Sequence, residues 1–252
     1  MKVLFFLAAI VSVAFTEAVP FESDLLLPHS GSVNGRNCLS WRLAVETNNV
    51  RDWDVVPADC AYYVADYMSG SQYPADCNYV TSAAYKHARS IQLKEDGKDV
   101  WVFDIGESSL SNLPYYSRSD VLFGSKEYNS TAKKEWELQG KAPALLATLK
   151  LYKKLLNRGY KIVFISGKSE SVRNVTETNL KNVGYYTWEK LVLRQPSERG
   201  TTLAVYKSKK RGELVNQGYR IIGNIGDQWS DLSGDYAGNR TFKLPNPMFY
   251  AA

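Results

Sequence analysis

The chain has 252 residues, of which 44% are hydrophobic and 23% charged, enough apolar content for one sizeable core and a length that allows one large domain or two small ones. The net charge is +5 and the pI near 8.9, but the basic residues are dispersed. Runs such as Lys207–Arg211 are short, a solvated helix face explains them better than a nucleic-acid footprint, and no nucleic-acid partner is expected.

Met1-Lys2, an apolar run from Val3 to Phe15 and a small-residue end at Thr16-Glu-Ala18 predict a secretory signal peptide over residues 1–18. That run is short for a membrane span, and no later stretch is long and apolar enough to be one, so no membrane partner is expected. Localisation should be the secretory pathway, ending in a vacuole or outside the cell. Residues 19–37 carry Pro, Gly and Ser and read as irregular. Trp41–Val45 has the content of a short strand. Pro57–Met68 and Tyr79–Leu93 have helical spacing, the second stopped by the Glu95–Lys98 turn. Together they form a helical N-terminal extension.

Strands and helices then alternate. Val100–Ile105 is a strand, Ala144–Asn157 a helix stopped at Arg158-Gly159, Lys161–Ser166 a strand, Ser169–Val183 a helix, Lys190–Arg194 a strand. Val205–Gln217 is a helix, Tyr219–Gly226 a strand, and Thr241–Leu244 a short edge strand. Near-continuous apolar strands in repeated β-α units predict an α/β fold with a Rossmann-type parallel sheet covered on both faces. Residues 109–143 interrupt the rhythm directly after the first strand, where a small cap insert would cover the sheet edge. We expect a single domain over 38–252.

Three sequons, Asn129-Ser-Thr131, Asn174-Val-Thr176 and Asn239-Arg-Thr241, mark candidate glycosylation sites. In an oxidising compartment two of Cys38, Cys60 and Cys77 are expected to pair. Cys38–Cys60 is preferred because it would tie down an N-terminal segment, and the other two pairings stay open. No Cys-x-x-Cys exists, which leaves zinc and thioredoxin-like readings without support. The two histidines, His29 and His87, have no partners suggesting catalysis, so His-based phosphatase and Ser-His-Asp mechanisms are not expected.

The strand ends carry the chemistry. A buried parallel strand delivers Asp104 to the carboxyl edge of the sheet, in Val100-Trp-Val-Phe-Asp-Ile-Gly-Glu-Ser108. Ser166 ends the next strand, Lys207 opens a helix, and Asp227 and Asp231 follow the strand ending at Gly226. A nucleophile, a cation and donors for phosphate oxygens are what phosphoryl transfer needs. Taken in this order, the residues resemble the motifs of haloacid dehalogenase-like phosphohydrolases. The phrases Leu43–Thr47, Leu110–Tyr116, Gly223–Leu232 and Phe242–Met248 resemble one plant branch, the vegetative storage proteins and their acid phosphatase relatives.

The resemblance implies that Asp104 is the nucleophile forming an aspartyl-phosphate, that Ser166 binds a phosphate oxygen, and that Lys207 offsets charge and orients Asp104. Asp104, the Gly106 backbone carbonyl, Asp227 and Asp231 would hold Mg²⁺, a hard cation suited to oxygen ligands. One member of the pattern is missing: the family's general acid/base Asp, two residues after the nucleophile, is Gly106 here. Neighbouring Glu107 is not expected to replace it, because adjacent residues on an extended segment point oppositely. Lys168 stands where the family often has Arg, and keeps the charge without the planar fork. The resemblance implies a storage glycoprotein, a nutrient reservoir with impaired catalysis, or alternatively a weak Mg²⁺-dependent acid phosphatase acting on small phosphate esters. A phosphate binder without turnover is a third reading. A homodimer, or a heterodimer with a paralogue, is implied by the family alone.

Overall fold

The structure, a computed structural model, describes residues 37–251. The expected signal peptide, and all but the last residue of the irregular 19–37 segment, lie outside the described residues. Helix α1 (Cys38–Glu46) comes first. This corrects the expected strand at Trp41–Val45. The Asn37 side chain accepts a hydrogen bond from the Ser40 N–H at 3.0 Å, and the cap starts a helix that the Leu-Ala-Val-Glu run can continue. A five-residue window is too short to show helical periodicity.

A 3₁₀ turn at Ala58–Cys60 leads into α2 (Ala61–Ser69), and α3 follows at Gln72–Ser90. The last starts earlier than Tyr79 and ends before Leu93. Pro74 sits in its first turn, where a missing N–H costs nothing. Cys38 and Cys60 are joined in a disulfide across 22 residues of sequence, and Cys77 is buried and free. Closing a loop of that length removes roughly 3 kcal/mol of chain entropy from the unfolded state.

Strand β1 (Asp99–Phe103) is buried at every residue. After it come α4 (Leu113–Tyr116), α5 (Ser130–Gln139), α6 (Leu146–Asn157), β2 (Lys161–Ser169), α7 (Arg173–Asn182) and β3 (Lys190–Arg194). The chain then runs through α8 (Leu203–Asn216), β4 (Arg220–Gly226), α9 (Trp229–Leu232) and β5 (Arg240–Lys243). All pairings are parallel, in the order β3-β2-β1-β4-β5. The α/β parallel sheet expected from the sequence is therefore present.

The pleat sends alternate residues of β1 into two different cores. Trp101 and Phe103 face the helical extension and α6, in a large aromatic cluster with Tyr152, Phe164 and Phe242. Val100 and Val102 face α8, in a smaller cluster with Val163, Ile165, Tyr206 and Leu214. Gly223 on β4 lets the large indole lie flat against the sheet, since a Cβ there would meet Trp101 at 2.4 Å. The strand order reverses between β1 and β4, and the crevice outside their carboxyl ends is where ligands bind in open α/β sheets.

Candidate active site

Asp104 and Asp227 follow β1 and β4 at this switch point. The Asp104 N–H donates to the Ile225 carbonyl at 3.0 Å, which carries the strand pairing to the edge and fixes where the carboxylate emerges. The side chain is 6% exposed. Lys207 reaches it from α8: Nζ lies 2.9 Å from Asp104 Oδ1 and also donates to Asp231 Oδ1. The N-cap of α8 is Thr202, whose hydroxyl accepts from the Val205 N–H. This start places Lys207 and Arg211, one turn apart, on the buried face. Arg211 donates to the carbonyls of Asp231, Ser233 and Asp235, pinning the segment after β4.

Asp227 is held by three side chains. Ser108 Oγ donates to Oδ1 at 2.6 Å, while Gln228 Nε2 and Asn246 Nδ2 donate to Oδ2 at 2.8 and 2.7 Å. Asp231 accepts from the Gln228 N–H at 2.9 Å in a capping box for α9. Gly226 permits this close return, because a Cβ there would lie 2.3 Å from Asp231 Oδ2.

One oxygen from each of Asp104, Asp227 and Asp231 lies within 4.8 Å of the others, and all three are buried. Lys207 is the ammonium group bonded within this trio, so the carboxylates outnumber it and repel one another. Desolvation raises Asp104, Asp231 raises it further, and Lys207 pulls against both, leaving it at about 7. Asp227 is also raised, first by burial and then by Asp231, against the hydrogen bonds from Ser108, Asn246 and Gln228. Lys207 is raised despite burial, because its two carboxylate partners favour the charged form. An acidic, all-oxygen cluster with excess negative charge fits a hard divalent cation.

Ser166 lies buried within β2, next to β1, and its Oγ accepts weakly from the Lys168 N–H at 3.4 Å. It makes no hydrogen bond to the three carboxylates among the described residues. Lys168 Nζ donates to Glu137 of α5 at 2.7 Å, and Lys133 of the same helix lies 3.8 Å from that carboxylate. Helix α5 buries none of its residues. Ion pairs to Lys168 and packing of Ala132 and Trp136 against the main core together hold this part of the 109–143 insert beside the sheet edge.

Gly106 bridges to Leu110 and the chain turns at Glu107–Ser109 instead of continuing extended, which corrects the geometry expected for Glu107. Glu107 has φ 58° and is fully buried. Its carboxylate accepts from Tyr73 Oη at 3.1 Å, Ser111 Oγ at 3.0 Å and the Asn112 N–H at 2.7 Å, and burial raises it to about 7. The turn, not strand alternation, directs this carboxylate to Tyr73, Ser111 and Asn112. The sequons Asn129, Asn174 and Asn239 are all exposed. Asn129 caps α5 through its Oδ1, which accepts from the Ala132 N–H at 3.0 Å, and Asn174 lies within α7.

Sequence reasoning missed Gln228, Asn246 and Asn112, and it placed Lys207–Arg211 on a solvated helix face, whereas Lys207 and Arg211 are buried. A signal for Gln228, Asn246 and Asn112 existed, since they stand inside the phrases that carried the family resemblance. Glu46 does as well: its carboxylate accepts from Lys243 Nζ and the Asn246 N–H, both at 2.8 Å.

Residues 23–252 match the family described as HAD superfamily, subfamily IIIB (Acid phosphatase). Acid phosphatase 1 of Solanum lycopersicum is 46% identical over 213 residues, covering 84% of this chain and 83% of that protein. The Stem 28 kDa glycoprotein of Glycine max is 44% identical over 255 residues, covering 99% and 98%. Vegetative storage protein 1 of Arabidopsis thaliana is 43% identical over 231 residues, covering 91% and 84%. Among solved structures, the class C acid phosphatase of Bacillus anthracis superposes with a TM-score of 0.62 at 23% identity, covering 75% of this chain and 84% of that one. That likeness concerns the fold alone.

Proposed function

The chain belongs to subfamily IIIB of the HAD superfamily, the acid phosphatases, and we propose that it is a storage glycoprotein of the secretory pathway on a phosphomonoesterase scaffold whose catalysis is impaired at position 106. The carrying observation is the contrast within the site. Asp104, Lys207, Asp227 and Asp231 are assembled and bonded, while Gly106 offers no carboxyl group. Relatives named as storage proteins and stem glycoproteins support the reservoir role. Exposed sequons and the Cys38–Cys60 bond fit the secretory route.

A second reading, a weak acid phosphatase, is favoured by the Lys207–Asp104 contact at 2.9 Å. In it Asp104 attacks phosphorus, Lys207 holds the nucleophile oriented and balances charge, and Ser166 and Lys168 donate to phosphate oxygens. Asp227, Asp104 and the Gly106 carbonyl would hold Mg²⁺, which supplies positive charge against the phosphate when bound. Asp231 is best spent on Lys207 and the Gln228 N–H, where it positions rather than ligates. Without a carboxyl at 106 the leaving group is not protonated by the protein, a loss on the order of 10²–10⁴-fold.

The test is hydrolysis of 4-nitrophenyl phosphate at mildly acidic pH by the wild-type and Asp104→Asn proteins, with and without Mg²⁺. Equal background rates from both proteins are expected if the site serves only a reservoir. Turnover that requires both Asp104 and Mg²⁺ makes the weak phosphatase the better reading, and alkyl phosphates turned over as fast as aryl ones would sink the argument about Gly106.

A further inference from the structure

The space in front of Gly106 is not left to solvent alone. A Cβ built on Gly106 would lie 3.5 Å from Asn112 Nδ2, so the amide of Asn112 faces the place where the missing side chain would begin. Asn112 is 4% exposed. Its Oδ1 accepts from Trp136 Nε1 of α5 at 3.1 Å. Indole N–H can only donate, so the amide cannot be turned round, and Nδ2 must be the group directed at Gly106.

The rest of the residue is also fixed. Its N–H donates to Glu107 Oε2 at 2.7 Å, and its carbonyl accepts from the N–H groups of Tyr115 and Tyr116 at 2.8 and 3.0 Å. Nδ2 alone has no hydrogen-bond partner among the described residues. Asn112 also lines a narrow cavity with Lys168. Nδ2 is not sealed from solvent, so this unpaired donor is open to a ligand or a water in front of Gly106. Three elements hold one N–H still and aim it at unfilled space beside a phosphate-type site.

We propose that the Asn112 side-chain amide is a substrate-facing donor that hydrogen-bonds the leaving oxygen of a phosphate ester in the space in front of Gly106. The proposal rests on the phosphatase reading of the site. As Asp104 Oδ bonds to phosphorus, the ester P–O bond breaks and its electron pair passes to the leaving oxygen. That oxygen takes its proton from solvent water, and Asn112 transfers none. Water then attacks the aspartyl-phosphate, releasing phosphate and restoring Asp104. A donor held where negative charge develops acts without reorganising. It helps most where the leaving group is basic and least where charge is already delocalised.

The experiment compares wild-type with Asn112→Ala on 4-nitrophenyl, phenyl and glycerol phosphates. Removing one such donor should slow phenyl and glycerol phosphate on the order of 10²-fold, and leave 4-nitrophenyl phosphate within a few-fold. A uniform loss across the series, or none, overturns the proposal, since a merely structural residue would not change the leaving-group dependence. Asn112→Asp keeps the shape and the Trp136 bond but has no donor once ionised, and should reproduce the changed slope where the alanine variant does not fold.

A binding readout separates this idea from the phosphatase reading. In the full-length Asp104→Asn protein with Mg²⁺, phenyl phosphate should shift the Asn112 side-chain amide resonance, and inorganic phosphate should leave it in place. Wild-type turnover no faster than that of Asp104→Asn defeats the phosphatase reading alone. An unmoved amide resonance with phenyl phosphate bound defeats the role of Asn112.

Discussion

On the sheet side of the site, every charged group is held from more than one direction. Lys207 bridges Asp104 and Asp231, and Asp227 takes hydrogen bonds from Ser108, Gln228 and Asn246. On the insert side the arrangement is sparse. Gly106 has no side chain, Lys133 and Lys168 share the single carboxylate of Glu137, and the side chains of α5 are at most largely buried, none fully. Burial, followed by the charge of Lys168, lowers Lys133 to about 8. Position 106 thus offers no carboxyl group beside a sheet side whose charged groups are all bonded.

The largest expected effect is on the sheet side. Asp104→Asn should remove Mg²⁺-dependent turnover altogether while leaving Tm unchanged or higher, because it deletes one of three mutually repelling carboxylates. Retained turnover would move the nucleophile elsewhere. Lys207→Met should be next, costing about 3–5 kcal/mol in a denaturant titration, since it leaves buried carboxylates without their cation. A cost below about 1 kcal/mol, as at an exposed pair, would mean that the trio is protonated in the native protein.

On the insert side the sign reverses. Gly106→Asp should raise turnover by on the order of 10²-fold or more, most for alkyl phosphates. The geometry admits the side chain: its Cβ would be in ordinary contact with Asn112 at 3.5 Å. No gain would place damage in the sheet side as well. The smallest effect should come from Glu137→Gln, which frees Lys168 for an anion. A two- to three-fold fall in KM at little cost in stability, as for other partly exposed ion pairs, is expected, and a raised KM would show that Glu137 positions the lysine.

Titration sharpens the same contrast. Glu107 and Asp104 both sit at about 7 in the folded protein, above ordinary carboxylate values. Between roughly pH 4 and pH 7 the folded state therefore keeps protons that the unfolded chain has released, and stability falls as pH rises through that window. Thermal melts should show Tm highest near pH 5 and several degrees lower at pH 8. Added Mg²⁺ should raise Tm more at pH 8, where the carboxylates are ionised, than at pH 5. A Tm that climbs from pH 5 to pH 8 without metal would contradict the burial of these charges.

Much of the fold was legible because apolar runs of strand length are hard to mistake. All four interior and edge strands after β1 begin within a residue of their expected starts, and Asp104, Lys207, Asp227 and Asp231 meet where the strand ends bring them. Trp41–Val45 was misread because an aromatic and a β-branched residue at its two ends outweighed the cap at Asn37. The remaining site contacts join distant stretches without local pattern: Tyr73 to Glu107, Trp136 to Asn112, Glu46 to Asn246. Periodicity carries no trace of such pairings, because each depends on how two elements pack and not on how either one forms.

The Asn246 bond to Asp227 ties the order of assembly to the direction of synthesis. Glu46 emerges from the ribosome early and waits for Asn246, 200 residues later. Asp227 likewise receives its Asn246 donor only after the strands around it have been made. A nascent chain can lay down all five strands and still present an acidic cluster with an incomplete set of donors. The segment that follows β5 closes that gap, so a chain stopped before Asn246 should fold its sheet and leave the pocket open to chaperones and proteases.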